Sequence, residues 1–131
     1  MEYLNVLAAA AASWVFGAAW YMTLSKPWMK AAGIPMTPDG KPMGNGSPLP
    51  YLLSAVAMVI VAGFMRHIFA TSGITTIGAG TLSGLGIGLF FIVPWTMINN
   101  AYGMRPFTLT LIDGGYSTIG CALIGLVLTL F

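Results

Sequence analysis

The chain has 131 residues, of which 57% are hydrophobic and only 6% are charged, and its mean hydropathy is +0.86. Soluble domains carry about 25% charged residues, so a water-facing surface of ordinary composition is excluded. The formal net charge of +2 is too small and too scattered for a nucleic-acid-binding face, which needs clustered basic residues. The single cysteine, Cys121, excludes an internal disulfide and a paired-thiol redox site.

Four apolar segments are each long enough to cross the hydrocarbon core as a helix, which takes about 20 residues. They cover residues 4–24, 49–70, 74–97 and 108–131. The start of the chain has neither a basic stretch nor a clear cleavage site, so we expect the first segment to stay as a membrane helix. The sequence therefore predicts one all-α integral membrane domain over residues 1–131, a four-transmembrane-helix bundle.

The first connection, residues 25–48, contains five prolines and four glycines, which disfavour regular structure. Residues 26–32 are predicted to form a short helix along the membrane surface. Four methionines recur here every seven residues: Met22, Met29, Met36 and Met43. Thioethers favour Cu(I), but the prolines break any helix that would align these side chains, so we interpret the repeat as chance. No metal site is predicted.

The other two connections are short, and the basic residues predict the orientation. Residues 71–73 and 99–105 join the later segments, and Pro106 suits the first turn of the fourth helix. Lysines and arginines lie at Lys26, Lys30, Lys41 and Arg105 on one side, and at Arg66 on the other. The positive-inside rule then places the first and third loops in the cytoplasm and both termini outside.

Small residues at four-residue spacing predict how the helices pack. Lipid gives helices no hydrophobic reason to associate, so close backbone approach through small side chains provides the contact. The third helix has Gly80, Gly84 and Gly88, the first has Ala9, Ser13 and Gly17, and the fourth has Ser117, Cys121 and Gly125. Internal packing of one bundle is the favoured interpretation, and a homodimer or partner interface is the alternative.

Pro94 lies inside the third apolar segment. A proline removes one backbone hydrogen bond, so the helix should bend there. We interpret the bend as structural. A gating hinge is the functional alternative.

Asp113 is the most informative polar residue, because a carboxylate in a membrane helix is costly and should face protein or water with a partner. It lies about two helical turns after Pro106. The sequence predicts a polar cluster in which Asp113 pairs with Arg105, joined by Asn99, Asn100 and Tyr116. A structural network between the third and fourth helices is favoured over a binding or proton-coupled site.

Catalytic patterns are absent from the sequence. No second buried carboxylate is predicted beside Asp113, and no nucleotide-binding or zinc-protease motif occurs. His67 is the only histidine and is predicted at the opposite membrane face from Asp113, solvated or paired with Glu2. Ligation of a haem iron or a chlorophyll magnesium is the alternative for His67, and the sequence identifies no cofactor.

Several segments together resemble a bacterial family of small membrane proteins known as domain of unknown function seventeen-sixty-one. The matching residues are 17–21 (GAAWY), 26–29 (KPWM), 99–106 (NNAYGMRP) and 112–116 (IDGGY). Their order and spacing cover almost the full chain. The resemblance implies a four-helix integral membrane protein of the cell envelope and brings no activity with it.

The sequence favours a non-catalytic protein of the bacterial inner membrane. The small size and the glycine-rich faces suggest an accessory or scaffolding subunit of a larger membrane complex. The alternative is a small oligomeric transporter or channel that uses Asp113. The expected partners are the lipid bilayer and either other membrane subunits or further copies of the chain, with no nucleic acid.

Overall fold

A computed structural model describes residues 2–41 and 48–131, and every element in these ranges is a helix. In chain order the elements are α1 (Glu2–Thr23), α2 (Ser25–Ala32), α3 (Leu49–Ser72), α4 (Ile77–Ile87), a π-helical turn (Gly88–Ile92), α5 (Val93–Tyr102) and α6 (Phe107–Leu128). α4, the π-helical turn and α5 form one continuous helical span.

Within the described ranges, four helical spans are long and apolar enough to cross a membrane. They are Tyr3–Thr23, Leu49–Ser72, Ile77–Tyr102 and Phe107–Leu128. The predicted all-α fold with four transmembrane helices is confirmed. The third span begins and ends later than predicted, because Thr76 caps its start and the helix continues through Asn99 and Asn100.

α6 lies at the centre of the bundle. It packs against α1 on one side and against α4, the π-helical turn and α5 on another, while α3 packs mainly against α1. In the most apolar stretch of α6, 44% of the residues are buried, against 17% in α3 and 17% in the third span. α3 and the third span therefore form the periphery of the bundle.

The predicted glycine face of the third span lies directly on α6. A Cβ atom at Gly84 would collide with the backbone carbonyl of Cys121, and one at Gly88 would collide with the carbonyl of Ser117. Gly80 and Gly125 face each other in the same way. Glycine at these positions lets the two backbones approach closely, and the contact that results is van der Waals packing between helices.

α1 uses its small residues against a different side of α6. Ala9 is fully buried, Ser13 is almost so, and Gly17 lies against the ring of Tyr116. The Ser13 hydroxyl oxygen lies 2.9 Å from the position that a Cβ on Gly120 would occupy. The chain therefore fills both small-residue faces of α6 with its own helices.

The irregularity near Pro94 begins one turn earlier than the proline itself. Residues Gly88–Ile92 form a π-helical turn, and the Val93 amide donates to the Gly88 carbonyl. A π-helical turn widens the backbone locally and commonly lies where a helix is interrupted. Pro94 is the second residue of α5, so the hydrogen bond that its missing N–H removes lies where the π-helical turn already interrupts the regular bonding.

α3 and α4 are joined by only four residues, 73–76, but make at most a minor contact along their lengths. Gly73, with φ +70°, ends α3 in the left-handed conformation that favours glycine. Thr76 then begins α4, since its hydroxyl accepts from the Ala79 amide at 3.2 Å. The two helices are adjacent at this loop, but along their lengths α3 packs mainly on α1 and α4 packs on α6.

Candidate functional site

Asp113 lies between α1, α2 and α6, where two aromatic donors approach its carboxylate. The Tyr21 hydroxyl donates to Asp113 Oδ1 at 2.6 Å, a length typical of a hydroxyl bonded to a carboxylate. The Trp28 indole lies near the carboxylate, and its ring packs edge-on against the Tyr21 ring. Tyr21 is in the last turn of α1 and Trp28 is in α2, so three helices meet at this carboxylate.

More aromatic rings surround this carboxylate, and we call the group the Asp113 cluster: Asp113, Phe16, Trp20, Tyr21, Trp28 and Tyr116. The Tyr21 ring makes edge contacts with Trp28 and with Tyr116, at centroid separations of 5.8 Å and 5.5 Å. Such tilted arrangements are the preferred geometry of aromatic pairs. The cluster is therefore a packed junction of rings around one carboxylate.

Trp20 and Tyr116 fix the cluster to the backbone of neighbouring helices. The Trp20 indole donates to the Ile112 carbonyl at 2.9 Å, and its ring covers Gly115. The Tyr116 hydroxyl lies 3.3 Å from the Ser13 carbonyl and 3.3 Å from the Met58 sulfur. These contacts set the rotation of α1 relative to α6.

The structure brings only some of the predicted cluster together. Tyr116 lies beside Asp113 through Tyr21, whereas the Asp113 carboxylate accepts from Tyr21 and forms no described ion pair with Arg105. The structure therefore does not bring the predicted pair of Arg105 and Asp113 together. The Arg105 guanidinium lies instead against Gly33, the residue that ends α2 with φ +74°.

The two asparagines also lie apart from the carboxylate. The Asn100 side chain donates to the Thr110 hydroxyl at 3.1 Å, and this bond links α5 to α6. Asn99 is exposed, and its carbonyl accepts from the Gly103 amide at 3.0 Å at the end of α5. Both residues lie in the last turns of α5, before the connection to α6.

Sequence reasoning missed Tyr21 and Trp28 as neighbours of Asp113. These residues are 92 and 85 positions away in the chain, and their ring type alone predicts an interfacial position. Arg105 was the nearest opposite charge in sequence. Only the contact between α1 and α6, which no periodicity indicates, brings the aromatic donors to the carboxylate.

A second polar group, at the other end of the bundle, was not predicted. Asn5 is 6% exposed, and its amide donates to the carbonyls of Leu128 and Phe131 at 3.3 Å and 3.1 Å. The Arg66 Nε donates to the Asn5 side-chain oxygen at 3.3 Å. Asn5 therefore links α1 and α3 to the end of α6.

The remaining sequence candidates are scattered. His67 is exposed and packs beside Phe64 at a ring separation of 5.5 Å, and the side chain of Glu2 lies outside what the structure describes. Met22 is 77% exposed and Met29 only 3% exposed, and Met43 lies outside the described residues. These positions share no described contact that would form a binding site.

The Asp113 cluster has the chemistry to bind a proton or to fix helix positions. Asp113 is only partly buried, and the Tyr21 hydroxyl already satisfies part of the hydrogen-bonding capacity of its carboxylate. An ionisable group in a membrane helix that is paired within the protein is compatible with either role.

Comparison with known proteins gives one family match. The family model described as "Protein of unknown function (DUF1761)" matches residues 4–129. Comparisons with curated proteins and with solved structures give no match. Since the family model covers nearly the whole chain, this protein belongs to the DUF1761 family of proteins of unknown function.

Proposed function

We propose that this protein is a non-catalytic, multi-pass protein of the bacterial inner membrane that serves as an accessory or scaffolding subunit of a larger membrane complex. The observation that carries the proposal is the use of the polar side chains. The Tyr21 hydroxyl bonds α1 to Asp113 of α6, and the Tyr21 ring packs against Trp28 of α2. These contacts hold helices in place, as a scaffold requires.

The exposed surface of the spans supports the same proposal. Large apolar side chains cover the outer faces of α3 and the third span, among them Ile60, Phe64, Phe90 and Phe91, which are 64–73% exposed. Apolar outer faces suit both lipid and the helices of another subunit. The peripheral spans are therefore the surfaces at which a partner would bind.

The experiment is purification from native membranes under mild detergent, with a photoreactive amino acid placed in turn at Phe64 on α3 and at Phe90 on the third span. We expect one of these positions to crosslink to a distinct membrane protein that co-purifies at fixed stoichiometry. Ala62, which is fully buried, provides the matched control and should give no intermolecular product. Purification as a monomer, with lipid as the only crosslinked species, would contradict the proposal.

A small oligomeric transporter or channel is the second candidate, and one observation favours it. Asp113 is partly buried in an apolar span, and its Tyr21 partner contacts Tyr116. A carboxylate with neighbouring hydroxyl groups at membrane depth is typical of ion and proton pathways.

Flux measurements on proteoliposomes test this candidate. If the protein transports ions or protons through this group, Asp113→Asn abolishes the flux and Asp39→Asn, outside the spans, leaves it unchanged. Absence of flux in the wild-type protein, or equal flux in wild-type protein and Asp113→Asn, eliminates transport through this residue.

A further inference from the structure

A pocket of about 490 Å³ opens beside α2, between this helix and the chain segment that follows it. Its volume lies within the range of small-ligand sites, about 300–1,000 Å³. One wall comes from α2 and the other from residues 36–40. The lining residues are Lys26, Pro27, Lys30, Met36, Thr37, Pro38, Asp39 and Gly40.

The α2 wall of this pocket is cationic. Lys26 and Lys30 are four residues apart, so they lie on the same side of the helix, and both are exposed. The Lys26 side chain extends across to the opposite wall, where its Cε lies 3.2 Å from the position that a Cβ on Gly40 would occupy. Met29 and Ala31 are buried, which fixes the lysine side of α2 outward.

A hydrogen-bonded turn forms the other wall. The Thr37 amide donates to the Lys41 carbonyl at 2.7 Å, and the Gly40 amide donates to the Thr37 carbonyl at 2.9 Å. The Thr37 hydroxyl donates to Asp39 at 2.8 Å, and this bond lowers the pKa of Asp39 below its usual value. Asp39 is therefore ionised at neutral pH and opposes part of the lysine charge.

The position of the pocket relative to the spans indicates the kind of ligand that could reach it. α2 begins two residues after α1 ends, so it lies where a membrane span emerges into the headgroup layer. Its apolar side faces the bundle and its lysines face outward, as in helices that lie at the bilayer surface. Arg105 adds a further positive charge at the end of α2, beside Gly33.

We propose that the pocket binds the phosphate group of an anionic phospholipid, with Lys26 and Lys30 as the residues that hold it. Two lysines against one carboxylate leave the lining positively charged. Basic side chains next to membrane spans attract anionic headgroups. The apolar lining from Pro27, Met36 and Pro38 suits the first methylene groups of the acyl chains of such a lipid.

The test measures lipid binding to the purified full-length protein by native mass spectrometry, with phosphatidylglycerol and phosphatidylcholine as the probes. We expect phosphatidylglycerol to bind more tightly. Lys26→Gln and Lys30→Gln should each weaken its binding about fivefold, and the double substitution about thirtyfold. Asp39→Asn should strengthen it, because the repulsive charge is removed and the amide oxygen still accepts from Thr37.

Lys41→Gln is the matched control, since Lys41 is exposed in the same segment but does not line the pocket. Its affinity for phosphatidylglycerol should stay within about twofold of wild type. A loss equal to that of Lys26→Gln would show a diffuse surface charge and overturn the pocket. Unchanged affinity in the Lys26→Gln and Lys30→Gln double variant would do the same.

Free glycerol phosphate separates a lipid from a soluble ligand with the same phosphate chemistry. We expect millimolar glycerol phosphate to leave the bound phosphatidylglycerol in place, because the acyl chains of the lipid also contact the apolar surface of the protein. Displacement of the lipid, together with saturable binding of glycerol phosphate alone, would overturn the assignment to a lipid. Far-UV circular dichroism of each variant verifies that α2 and the spans remain folded.

Discussion

Asp113 accepts a hydrogen bond from an aromatic residue, Tyr21. Arg105, the nearest basic residue in sequence, lies against Gly33 instead. A tyrosine hydroxyl or an indole N–H can donate to a carboxylate while the ring stays in apolar surroundings. An arginine would bring five donors that all need partners. The Tyr21 hydroxyl therefore gives Asp113 a hydrogen bond without adding further polar atoms that need partners.

Tyr21→Phe tests the importance of this bond for stability. The change removes the 2.6 Å hydrogen bond to Asp113 and leaves a partly buried carboxylate without its shortest partner, at an expected cost of about 1–3 kcal/mol. The loss of stability is measured by unfolding the protein in mixed detergent micelles and monitoring the helix content by circular dichroism.

Tyr116→Phe is the matched comparison for the Tyr21 variant. Its hydroxyl lies 3.3 Å from both of its acceptors, the Ser13 carbonyl and the Met58 sulfur. Long bonds of this kind in membrane proteins contribute less than about 1 kcal/mol. If the two variants lowered the free energy of unfolding equally, the bond from Tyr21 to the carboxylate would contribute no more than the longer bonds of Tyr116.

The composition of the candidate site was predictable only in part. The cost of a charge in an apolar span singles out Asp113 from sequence alone, and Tyr116 lies on the same helix one turn later. The positions of Arg105 and Trp28 depend on the path of the first connection, whose many prolines and glycines give no periodic signal. In the folded chain Gly33 lies against the Arg105 guanidinium. No sequence pattern indicates this contact.

At the scale of elements, α6 presents two different small-residue faces to two neighbours. Gly125 and the Ser117 and Cys121 carbonyls meet the glycines of the third span, while Gly120 meets Ser13 of α1. In each contact, the absence of a side chain permits backbone approach. Periodicity predicted which residues would pack, because four-residue spacing places them on one side of a helix.

Gly84→Ala tests the contact between the third span and α6. A methyl group at Gly84 would collide with the Cys121 carbonyl, so the helices must separate, at an expected cost of about 1–3 kcal/mol. Gly78→Ala is the control on the same helix, because no atom lies within 4 Å of its Cβ position. The control should be neutral, or more stable by up to about 1 kcal/mol through helix propensity.

Thermal unfolding in detergent compares the two alanine variants. If the Gly84→Ala protein were as stable as the Gly78→Ala protein, the added methyl group would be accommodated at no cost in free energy of unfolding. Retention of the native unfolding midpoint by both would therefore contradict the close packing of these helices.

The number and lengths of the spans were predictable, whereas the neighbour relations were not. Hydropathy identifies segments that are apolar enough to cross a membrane. All four predicted segments are helical in the structure. Hydropathy does not report which helices touch. The short connection of residues 73–76 would favour packing of α3 on α4, yet α3 follows α1 and α4 follows α6.

At the scale of the whole molecule, the folded chain gathers positive charge at one end. Lys26 and Lys30 lie on α2, and Arg105 lies against the residue that ends α2. Arg66 lies at the other end with Asn5. By the positive-inside rule this arrangement favours the α2 end in the cytoplasm.

Labelling with a membrane-impermeant maleimide tests this orientation in intact cells. In a Cys121→Ala background, Thr75→Cys in the α3–α4 loop should be labelled from outside, because Thr75 is exposed. Lys41→Cys should react only after the cells are permeabilised. The reverse pattern would invert the orientation, and labelling of both positions in intact cells would contradict a single orientation.

The central place of α6 has a consequence for biogenesis. A membrane chain is inserted from its N-terminus onward, and α6 is the last of the four spans in chain order. When the third span leaves the insertion machinery, its glycine face has no partner in the chain until α6 follows, since this face packs on α6. Until then the third span is an unassembled helix whose glycine face has no helix to pack against.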